Sequence, residues 1–377
     1  MPHTYLDNSA TTRVCAAAAD KAYQMMTDTY GNPSSLHSLG FRAEQELTAA
    51  RKAVAGLMGA QPEQIWFTSG GTEANNTAIF GGVAAHAHDG RHIVTTAVEH
   101  ASVSAAIDQL EKQGYEVTRL TPDDSGFVDA PTIVAACRPD TVLVAVMLVN
   151  NETGARFPLE DAVCGIRRVA PRAHIHCDAV QAAGKIPLYA ERWNVDSMSI
   201  SAHKLHGPKG VGALYVRRGA RVLPRQFGGK QEGGIRPGTE AAPLIAAFGA
   251  AVGEIPPAHL QMSRYAALRQ RLLDRLGDDP RLRFHIPAVS VPYIVHLSVP
   301  GYKSETLLHF LAQKEIYVSS GSACSKGAKS PVLTAMGLPA EEIDSALRVS
   351  FCRDTTDEDV DRFADGVLEA MEKIARR

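Results

Sequence analysis

The sequence predicts an α/β fold, in which a large domain with a mostly parallel sheet covered by helices precedes a smaller α+β domain at the C-terminus. From residue 65 onward, short apolar segments of strand length alternate with segments of helical length. This alternation is typical of parallel sheets whose two faces are covered by helices. The chain of 377 residues is also long enough for two domains, since one domain usually takes about 100 to 200 residues.

The large domain is predicted to open with two helices and to continue with the strands of its sheet. Ala- and Leu-rich patterns at 13–27 and 38–58 predict the helices, and a turn cluster rich in Gly, Pro and Ser separates them. Apolar runs predict strands at 65–68, 92–96, 115–120, 141–149, 174–177, 195–200 and 212–216. Helices between them are predicted at 72–88, 101–113 and 159–171.

A pair of prolines indicates where the two domains meet. A long helical pattern is interrupted at Pro256 and Pro257 and then resumes. Because proline breaks a helix, we place the boundary there, with a large domain over 1–255 and a small domain over 256–377. The N-terminal segment 1–30 is expected to pack on the small domain.

The small domain is predicted to carry strands first and helices after, which favours an α+β arrangement. Its predicted strands are 282–286, 293–299 and 347–352, and its first helix is 304–314. The spacing of Thr355 and Glu358 predicts a capping box at the start of the last helix.

Charge and cysteine usage exclude several classes of function. The chain has 39 Lys and Arg against 41 Asp and Glu, so neither nucleic acid nor a membrane surface is expected as its main partner. It has no basic leader and no apolar run approaching ~20 residues, which favours a cytoplasmic protein. The six cysteines show no CxxC pattern, so neither a disulfide framework nor a bound metal is expected.

The loop SAHKLHGPKG at 201–210 carries the first candidate for chemistry, Lys204. It lies between two predicted strands, beside His203 and His206. A lysine that is kept partly dry loses its proton more readily, and becomes a base and a nucleophile towards carbonyls. We therefore hypothesise Schiff-base chemistry at Lys204. A surface turn that happens to carry Lys204 and Lys209 is the alternative that this loop alone leaves open.

Asp178 supplies a partner for that lysine. It ends a predicted strand, which is where open α/β sheets place ligand-binding groups. Pyridoxal phosphate needs a lysine for attachment and a carboxylate opposite its pyridine nitrogen, because a protonated ring is the better electron sink. Lys204 and Asp178 together therefore predict pyridoxal 5'-phosphate as the cofactor.

Seven blocks along the chain resemble, in the same order, those of the cysteine desulfurases of the NifS/IscS branch. They are YLDNSATT at 5–12, GNPSSLH at 31–37, FTSGGTEANN at 67–76, NNETG at 150–154, SAHKLHGPKG at 201–210, RPGTE at 236–240 and SGSAC at 320–324. This branch belongs to the class V aminotransferase group of fold-type I pyridoxal-phosphate enzymes. The resemblance implies the fold-type I architecture, that cofactor and a homodimer.

The turn at 69–73 is a candidate anion site, because it joins a predicted strand to a helix and leaves backbone N–H groups free at the helix start. An ordinary glycine-rich turn is the alternative, and the pattern matches neither a dinucleotide-binding turn nor a P-loop. The resemblance implies that Thr239 reaches this site from a partner subunit. It assigns the cofactor phosphate to Thr72, Ser201, His203 and Thr239, and Gly71 of the same turn is also expected to bind the cofactor.

Three side chains are assigned to the cofactor ring by the same resemblance. His100 lies between a predicted strand and a helix, where its imidazole can stack on the ring and move protons. Asn151 and Gln181 are assigned to the ring-oxygen side, since amides suit a hydroxyl or phenolate partner.

Arg348 lies in an otherwise apolar strand, so it must be paired or face a cavity. The resemblance implies that it binds the substrate α-carboxylate in bidentate fashion, with Asn151 also at the substrate. An internal ion pair with an acidic residue of the second domain is the alternative.

Cys324 distinguishes a desulfurase from its relatives. Its segment at 319–327 is small, polar and glycine-rich, so we expect a mobile backbone and an accessible thiol. The nearby Lys326 and Lys329 would favour the thiolate.

The resemblance implies a homodimeric cysteine desulfurase with Lys204, Cys324 and His100 as catalytic residues. Such an enzyme converts L-cysteine to L-alanine and leaves the sulfur as a persulfide on Cys324. The sulfur would then pass to an acceptor protein, either an iron–sulfur scaffold or a thiolation protein. The alternatives are a selenocysteine lyase, another class V lyase or aminotransferase, and a catalytically silent scaffold.

Overall fold

The computed structural model describes residues 3–123, 126–320 and 330–376. Within these ranges the strands fall into three sheets. They are β1 (Thr4–Tyr5), β2 (Ile65–Thr68), β3 (His92–Thr96), β4 (Glu116–Leu120), β5 (Thr141–Met147), β6 (His174–Asp178), β7 (Ser197–Ser201), β8 (Gly212–Val216), β9 (Arg283–Phe284), β10 (Ile294–Ser298), β11 (Ile316–Tyr317) and β12 (Ala346–Ser350).

The main sheet has the strand order β2-β8-β7-β6-β5-β3-β4. Strands β3 to β7 pair in parallel, whereas β8 pairs antiparallel with both β7 and β2. Every residue of β5, β6 and β7 is buried, as expected for central strands with helices on both faces. The predicted α/β fold with a mostly parallel sheet is confirmed.

Helices cover this sheet and continue into the C-terminal part. They are α1 (Ala16–Thr27), α2 (Ser38–Met58), α3 (Gly71–Ala85), α4 (Ala101–Lys112), α5 (Ala130–Ala135), α6 (Leu159–Val169), α7 (Ala190–Trp193), α8 (Ala242–Gly253), α9 (Ala258–Leu276), α10 (Ser304–Gln313), α11 (Pro331–Ala335), α12 (Ala340–Asp344) and α13 (Asp357–Lys373). Among these helices, none is both long enough and apolar enough to cross a bilayer.

The C-terminal residues form a separate antiparallel sheet of order β12-β10-β9. The N-terminal segment joins this part of the molecule, because β1 pairs in parallel with β11 and the backbone N of Ser350 donates to the carbonyl of Leu6 at 2.7 Å. The helix that follows, α1, packs instead against α8. The segment before α1 therefore links the two ends of the chain.

Two predicted elements differ from the structure. The capping box of α13 lies one residue later than predicted: Thr356 is the N-cap and Asp359 its partner. The hydroxyl of Thr355 accepts instead from the backbone N of Cys352 at 3.0 Å, so it is not available to cap the helix. The predicted strand at 282–286 shortens to β9, whose two residues are paired with β10 alone.

Candidate active site

A cavity of about 290 Å³ lies at the carboxyl ends of β5, β6 and β7. This is the edge at which open α/β sheets bind ligands. Its lining brings together most of the predicted site residues, namely Gly71, Thr72, His100, Asn151, Asp178, Gln181, Ser201, His203, Lys204 and Arg348.

Lys204 reaches the cavity from a single 3₁₀ turn directly after β7. Its Nζ donates to the backbone carbonyls of Ser9 and Ala10, with 2.7 Å to that of Ala10. The turn depends on Gly207, where a Cβ would lie 2.8 Å from that of Ala202. The N-terminal segment thus holds the amine of Lys204 at the cavity.

Asp178 ends the neighbouring strand, β6, and is 5% exposed. Its Oδ1 accepts from the backbone N of Val180 at 3.0 Å, and its Oδ2 accepts from Nδ2 of Asn75 at 2.7 Å. Hydrogen bonds to a charged acceptor are short and strong, so these two fix the orientation of the carboxylate. Asp178 and Lys204 therefore line one cavity from adjacent strands.

His100 is the N-cap residue of α4. Its Nδ1 accepts from the backbone N of Ser102 at 3.2 Å and lies 2.8 Å from the Ser102 hydroxyl. Because Nδ1 is an acceptor, the proton of the neutral ring is on Nε2. Burial lowers the pKa of His100, and the nearby charge of Asp178 offsets part of that effect. The imidazole is therefore neutral at neutral pH.

The turn between β2 and α3 offers an anion site. α3 begins at Gly71, and within the described ranges no side chain caps its first turn. A Cβ at Gly71 would lie 2.8 Å from Cγ2 of Val180, so glycine is required to keep the approach open. Free N–H groups and the helix dipole favour an anion here. Thr72 and Ser201 add hydroxyls to the same part of the lining.

His203 and Thr239 have different places relative to that anion site. Nδ1 of His203 lies 3.2 Å from the Thr11 hydroxyl, and burial together with the charge of Lys204 lowers the pKa of His203 to about 4. His203 is therefore a neutral hydrogen-bonding group. Thr239 is exposed and does not belong to the lining of the cavity in its own chain.

The two predicted amides both line the cavity. Gln181 Nε2 donates to the carbonyl of Ser9 at 2.9 Å, while its Oε1 is buried with no hydrogen-bond partner among the described residues. A buried acceptor of this kind usually has a ligand or water partner. Asn151 accepts through its backbone carbonyl from Nη1 of Arg348 at 2.9 Å.

Arg348 lies in β12, is 1% exposed, and is part of the cavity lining. Its Nη2 donates to Oδ1 of Asp7 at 2.8 Å. The alternative of an ion pair with an acidic residue of the second domain is wrong, because Asp7 belongs to the N-terminal segment. A buried guanidinium needs a compensating carboxylate, and Asp7 supplies one.

Cys324 lies outside the described residues, as do its neighbours from 321 to 329. The residues on either side contact the cavity lining. Ser319 exchanges backbone hydrogen bonds of 3.2 and 2.7 Å with Arg348. Ser330 is the N-cap residue of α11, and its hydroxyl donates to Oε2 of Glu152 at 2.5 Å. The described residues Ser319 and Ser330, which flank the segment that contains Cys324, therefore both contact the cavity lining.

Two further residues of the lining had no role assigned from the sequence. Asn75 binds Asp178, and Glu99 accepts through Oε1 from the backbone N of Met147 at 3.0 Å and from the Thr96 hydroxyl at 2.7 Å. Burial raises the pKa of Glu99 to about 8, so it holds a proton at neutral pH. In the sequence, Asn75 is a polar residue within a predicted apolar helix, and Glu99 is an acidic residue shortly after a predicted strand; these two features could have indicated them.

These groups match the needs of a phosphorylated aromatic aldehyde. The start of α3 offers donors for a phosphate, Lys204 offers an amine, and Asp178 offers a carboxylate for a ring nitrogen. The buried Oε1 of Gln181 leaves an acceptor for a ring hydroxyl. The described part of the cavity therefore carries the four kinds of group that such a cofactor needs.

A wound α/β sheet with a lysine after one strand and an aspartate at the end of the adjacent strand defines the fold-type I class of enzymes. The sequence profile of the class-V aminotransferase family matches residues 4–363. The chain belongs to this family.

Relatives over the whole chain carry the name cysteine desulfurase. Cysteine desulfurase 2 of Trichormus variabilis is 42% identical over an alignment of 379 positions, which covers 99% of this chain and 93% of the relative. Cysteine desulfurase IscS of Methanosarcina thermophila is 39% identical, and the alignment covers 98% of this chain and 92% of the relative. A solved NifS-like protein superposes with a TM-score of 0.91 at 34% identity, covering 99% of this chain and 100% of that one. SspA, solved in complex with cysteine, superposes with a TM-score of 0.81 at 31% identity, covering 92% of this chain and 98% of that one.

Proposed function

We propose that the protein is a cysteine desulfurase, which converts L-cysteine to L-alanine and leaves the sulfur as a persulfide on Cys324. The observation that carries this proposal is the cavity shared by Lys204 and Asp178, because Ser319 and Ser330, which flank the segment containing Cys324 in the sequence, contact the lining of the same cavity. An amine, a carboxylate and a thiol are the groups that this reaction requires. The names of the relatives support the same activity.

Pyridoxal 5'-phosphate is the proposed cofactor. When bound, it supplies an electron sink for the negative charge that develops at the substrate Cα. Asp178 would hold its pyridine nitrogen and Lys204 would attach to its aldehyde carbon. Asn151 and Gln181 would hold the ring oxygen. The phosphate would be bound by Gly71, Thr72, Ser201 and His203, with Thr239 of a second subunit.

The side chains of this chain divide the remaining work. Arg348 binds the substrate α-carboxylate, and the neutral amine of Lys204 removes the Cα proton. The thiolate of Cys324 attacks the substrate sulfur, so that an S–S bond forms while the Cβ–S bond breaks. The electron pair of the broken bond stays with the carbon skeleton, which takes up protons and leaves as alanine. His100, neutral at neutral pH, transfers one of these protons.

A homodimer is part of the proposal, because Thr239 does not line the cavity of its own chain. A group of apolar side chains on α1, on α2 and between these helices is exposed, which supports burial against a second copy. These are Tyr23, Met26, Tyr30, Leu36 and Phe41. Sedimentation should show a dimer that Phe41→Asp weakens. Leu260→Asp, at an exposed position on α9, should not. A fully active monomer would contradict this part of the proposal.

The acceptor, location and domain division complete the proposal. The persulfide sulfur passes to an acceptor protein, an iron–sulfur scaffold or a thiolation protein. A cytoplasmic location is supported by the cysteines of the described ranges, all of which are free thiols. The division into 1–255 and 256–377 is supported by the break between α8 and α9, and by the main sheet and the β12-β10-β9 sheet, whose strands lie on opposite sides of the boundary in sequence. β1 of the N-terminal segment pairs across the boundary with β11.

The visible spectrum of the cofactor-loaded protein tests the function. Addition of L-cysteine should change the spectrum, and alanine and sulfide should appear in equal amounts in the presence of a thiol reductant. Amino-group transfer to a keto acid without sulfide would assign an aminotransferase instead. Preference for L-selenocysteine, with little reaction of L-cysteine, would assign a selenocysteine lyase.

A further inference from the structure

Asn75, in the first part of α3, uses every hydrogen-bonding position of its side chain. Nδ2 donates to Oδ2 of Asp178 at 2.7 Å and to Oγ of Ser102 at 2.8 Å. Oδ1 accepts from Nε2 of His176 at 2.9 Å and from the Ser199 hydroxyl. Since a carboxylate only accepts, the amide nitrogen must face Asp178. With two donors and two acceptor positions in use, the orientation of the amide is fixed.

One branch from Asn75 leads to His100. Oγ of Ser102 accepts from Asn75, so its own hydrogen is directed towards Nδ1 of His100, 2.8 Å away. Nδ1 of His100 also accepts from the backbone N of Ser102. Both contacts require the tautomer with the proton on Nε2. The same amide therefore holds the Asp178 carboxylate and selects the tautomer of His100.

A second branch continues from Asn75 into the sheet. Because the amide oxygen only accepts, His176 carries its proton on Nε2, and its Nδ1 accepts from Oγ of Ser197 at 2.8 Å. Oγ of Ser197 accepts in turn from Nε2 of His174 at 2.7 Å. Nδ1 of His174 has no partner within the described part of the chain. Every donor in this branch therefore points towards Asp178.

The branch is neutral and tightly enclosed. Burial lowers the pKa of His176 to about 3 and that of His174 to about 4, so neither ring is charged at neutral pH. α3 makes room for His174 through Gly82, where a Cβ would lie 2.7 Å from the ring. Aligned neutral hydrogen bonds polarise one another in a dry interior. The branch thus supplies oriented dipoles to Asp178 and no charge.

We propose that Asn75 is a positioning residue, which orients the Asp178 carboxylate and the His100 imidazole together. The branch through His176 and Ser197 stabilises the negative charge on Asp178, and so favours a protonated pyridine nitrogen in the bound cofactor. This inference rests on the proposed function where it names the cofactor ring. In this proposal the neutral amide of Asn75 connects Asp178, which holds the cofactor ring, with His100, which transfers a proton.

Single-atom variants separate the two branches. Ser197→Ala removes the hydroxyl between the two histidines. Ser102→Ala removes the hydroxyl that connects Asn75 to His100, and leaves the bond from Asn75 to Asp178 in place. Ser298→Ala is a matched control, since Ser298 is 0% exposed like Ser197 and also binds a histidine, His285, but lies in the C-terminal sheet. Asn75→Ala removes both branches at their junction.

The measurement is the ¹⁵N chemical shift of the ring nitrogen in labelled pyridoxal phosphate bound to each variant, without substrate. Ser197→Ala should move the shift towards the unprotonated form and lower kcat about 3- to 10-fold, as for one lost hydrogen bond. Ser102→Ala should keep the wild-type shift and alter the pH profile of kcat. Asn75→Ala should change both the ¹⁵N shift and the pH profile of kcat. It should also lower kcat about 100-fold, because a hydrogen bond to a charged group is lost.

Wild-type shifts in both Ser197→Ala and Asn75→Ala would overturn the inference, and so would an equal change in Ser298→Ala. If Asn75→Ala does not fold, the two serine variants carry the test, because each removes one oxygen atom. The shift is read without turnover, so a protein that binds the cofactor but releases no sulfide contradicts the proposed function and leaves the inference intact. A wild type with an unprotonated ring nitrogen overturns the inference alone.

Discussion

Nη2 of Arg348 lies 2.8 Å from Oδ1 of Asp7, so a guanidinium of the C-terminal sheet is neutralised by a carboxylate of the N-terminal segment. The same guanidinium donates through Nη1 to the carbonyl of Asn151 in the main sheet region. Three distant parts of the chain therefore meet at the position proposed for the substrate carboxylate. Two carboxylates, one of the protein and one of the substrate, would share a single buried cation.

Asp7→Asn should lower the free energy of unfolding and tighten substrate binding. The variant leaves a guanidinium that is 1% exposed with a weaker partner, which costs about 1 to 3 kcal/mol. The KM for L-cysteine should fall, because the substrate carboxylate no longer shares Arg348. Urea unfolding and steady-state kinetics measure the two effects. Asp20→Asn, at an exposed position of α1, is the control. Unchanged stability and KM would exclude the shared-cation interpretation.

Lys204→Ala should abolish turnover, whereas Lys209→Ala should leave it near the wild-type level. Of these two lysines, Lys204 lines the cavity, and Lys209 is exposed five residues further on in the same loop. The visible band of the bound cofactor should also change in Lys204→Ala, because the covalent attachment is lost. Steady-state alanine formation and absorption spectra measure both. Retained desulfuration in Lys204→Ala would remove the lysine from its central role.

Local pattern predicted much of this molecule, and long-range contacts account for what it did not predict. Lys204 and Asp178 follow adjacent strands, so the rule that strand ends share one edge of a sheet brings them together. The partner of Arg348 is 341 residues away, and no local pattern encodes such a contact. The N-cap of α13 is an exception, because the competing contact there is local: the Thr355 hydroxyl accepts from the backbone N of Cys352, three residues earlier, and Thr356 caps the helix instead.

The Asn75 network could not be predicted for a related reason. The sequence block that contains Asn75 indicates the family, but the hydrogen-bond partners of Asn75 come from α4, β6 and β7. Which buried histidine faces which hydroxyl depends on the packing of α3 on the sheet. Periodicity specifies that a residue is buried, and does not specify its polar partner.

Cys324→Ala should keep the cofactor spectrum and its response to L-cysteine, while sulfide and alanine formation collapse. The earlier steps need only Lys204 and the cofactor, whereas C–S cleavage needs a positioned thiolate, and positioning can contribute ~7 to 11 kcal/mol. Mass spectrometry of wild type after L-cysteine without reductant should find the added sulfur on the peptide that contains Cys324.

The other cysteines provide the control for that experiment. Burial raises the pKa of the Cys137 thiol to about 11 and raises those of Cys177 and Cys352 as well, so these thiols are poor nucleophiles. Cys164 on α6 is exposed, and Cys164→Ser should retain full activity. Undiminished alanine formation in Cys324→Ala would move the protein to the lyase or aminotransferase class.

Glu99→Gln should make the free energy of unfolding less sensitive to rising pH. Burial raises the pKa of Glu99 from 4.5 to about 8 in the folded protein, so between these values the folded state binds more protons than the unfolded state. Stability contributed by Glu99 therefore falls as pH rises through this window, by up to roughly 5 kcal/mol. The amide of the variant has no such ionisation, and its oxygen can still accept from Met147 and Thr96.

The comparison of urea midpoints from pH 5 to 8.5 measures this effect. Wild type and Glu99→Gln should unfold at similar urea concentrations near pH 5, and the variant should become the more stable of the two as pH approaches 8. Subtracting one curve from the other removes the contribution of the buried histidines to the pH dependence, because both proteins share it. Their lowered pKa values also place that contribution at lower pH. Glu63→Gln, at an exposed position, should follow wild type throughout. If the difference in urea midpoint between Glu99→Gln and wild type does not grow with pH, Glu99 is already ionised in the folded protein. The cavity lining would then carry a second negative charge beside that of Asp178.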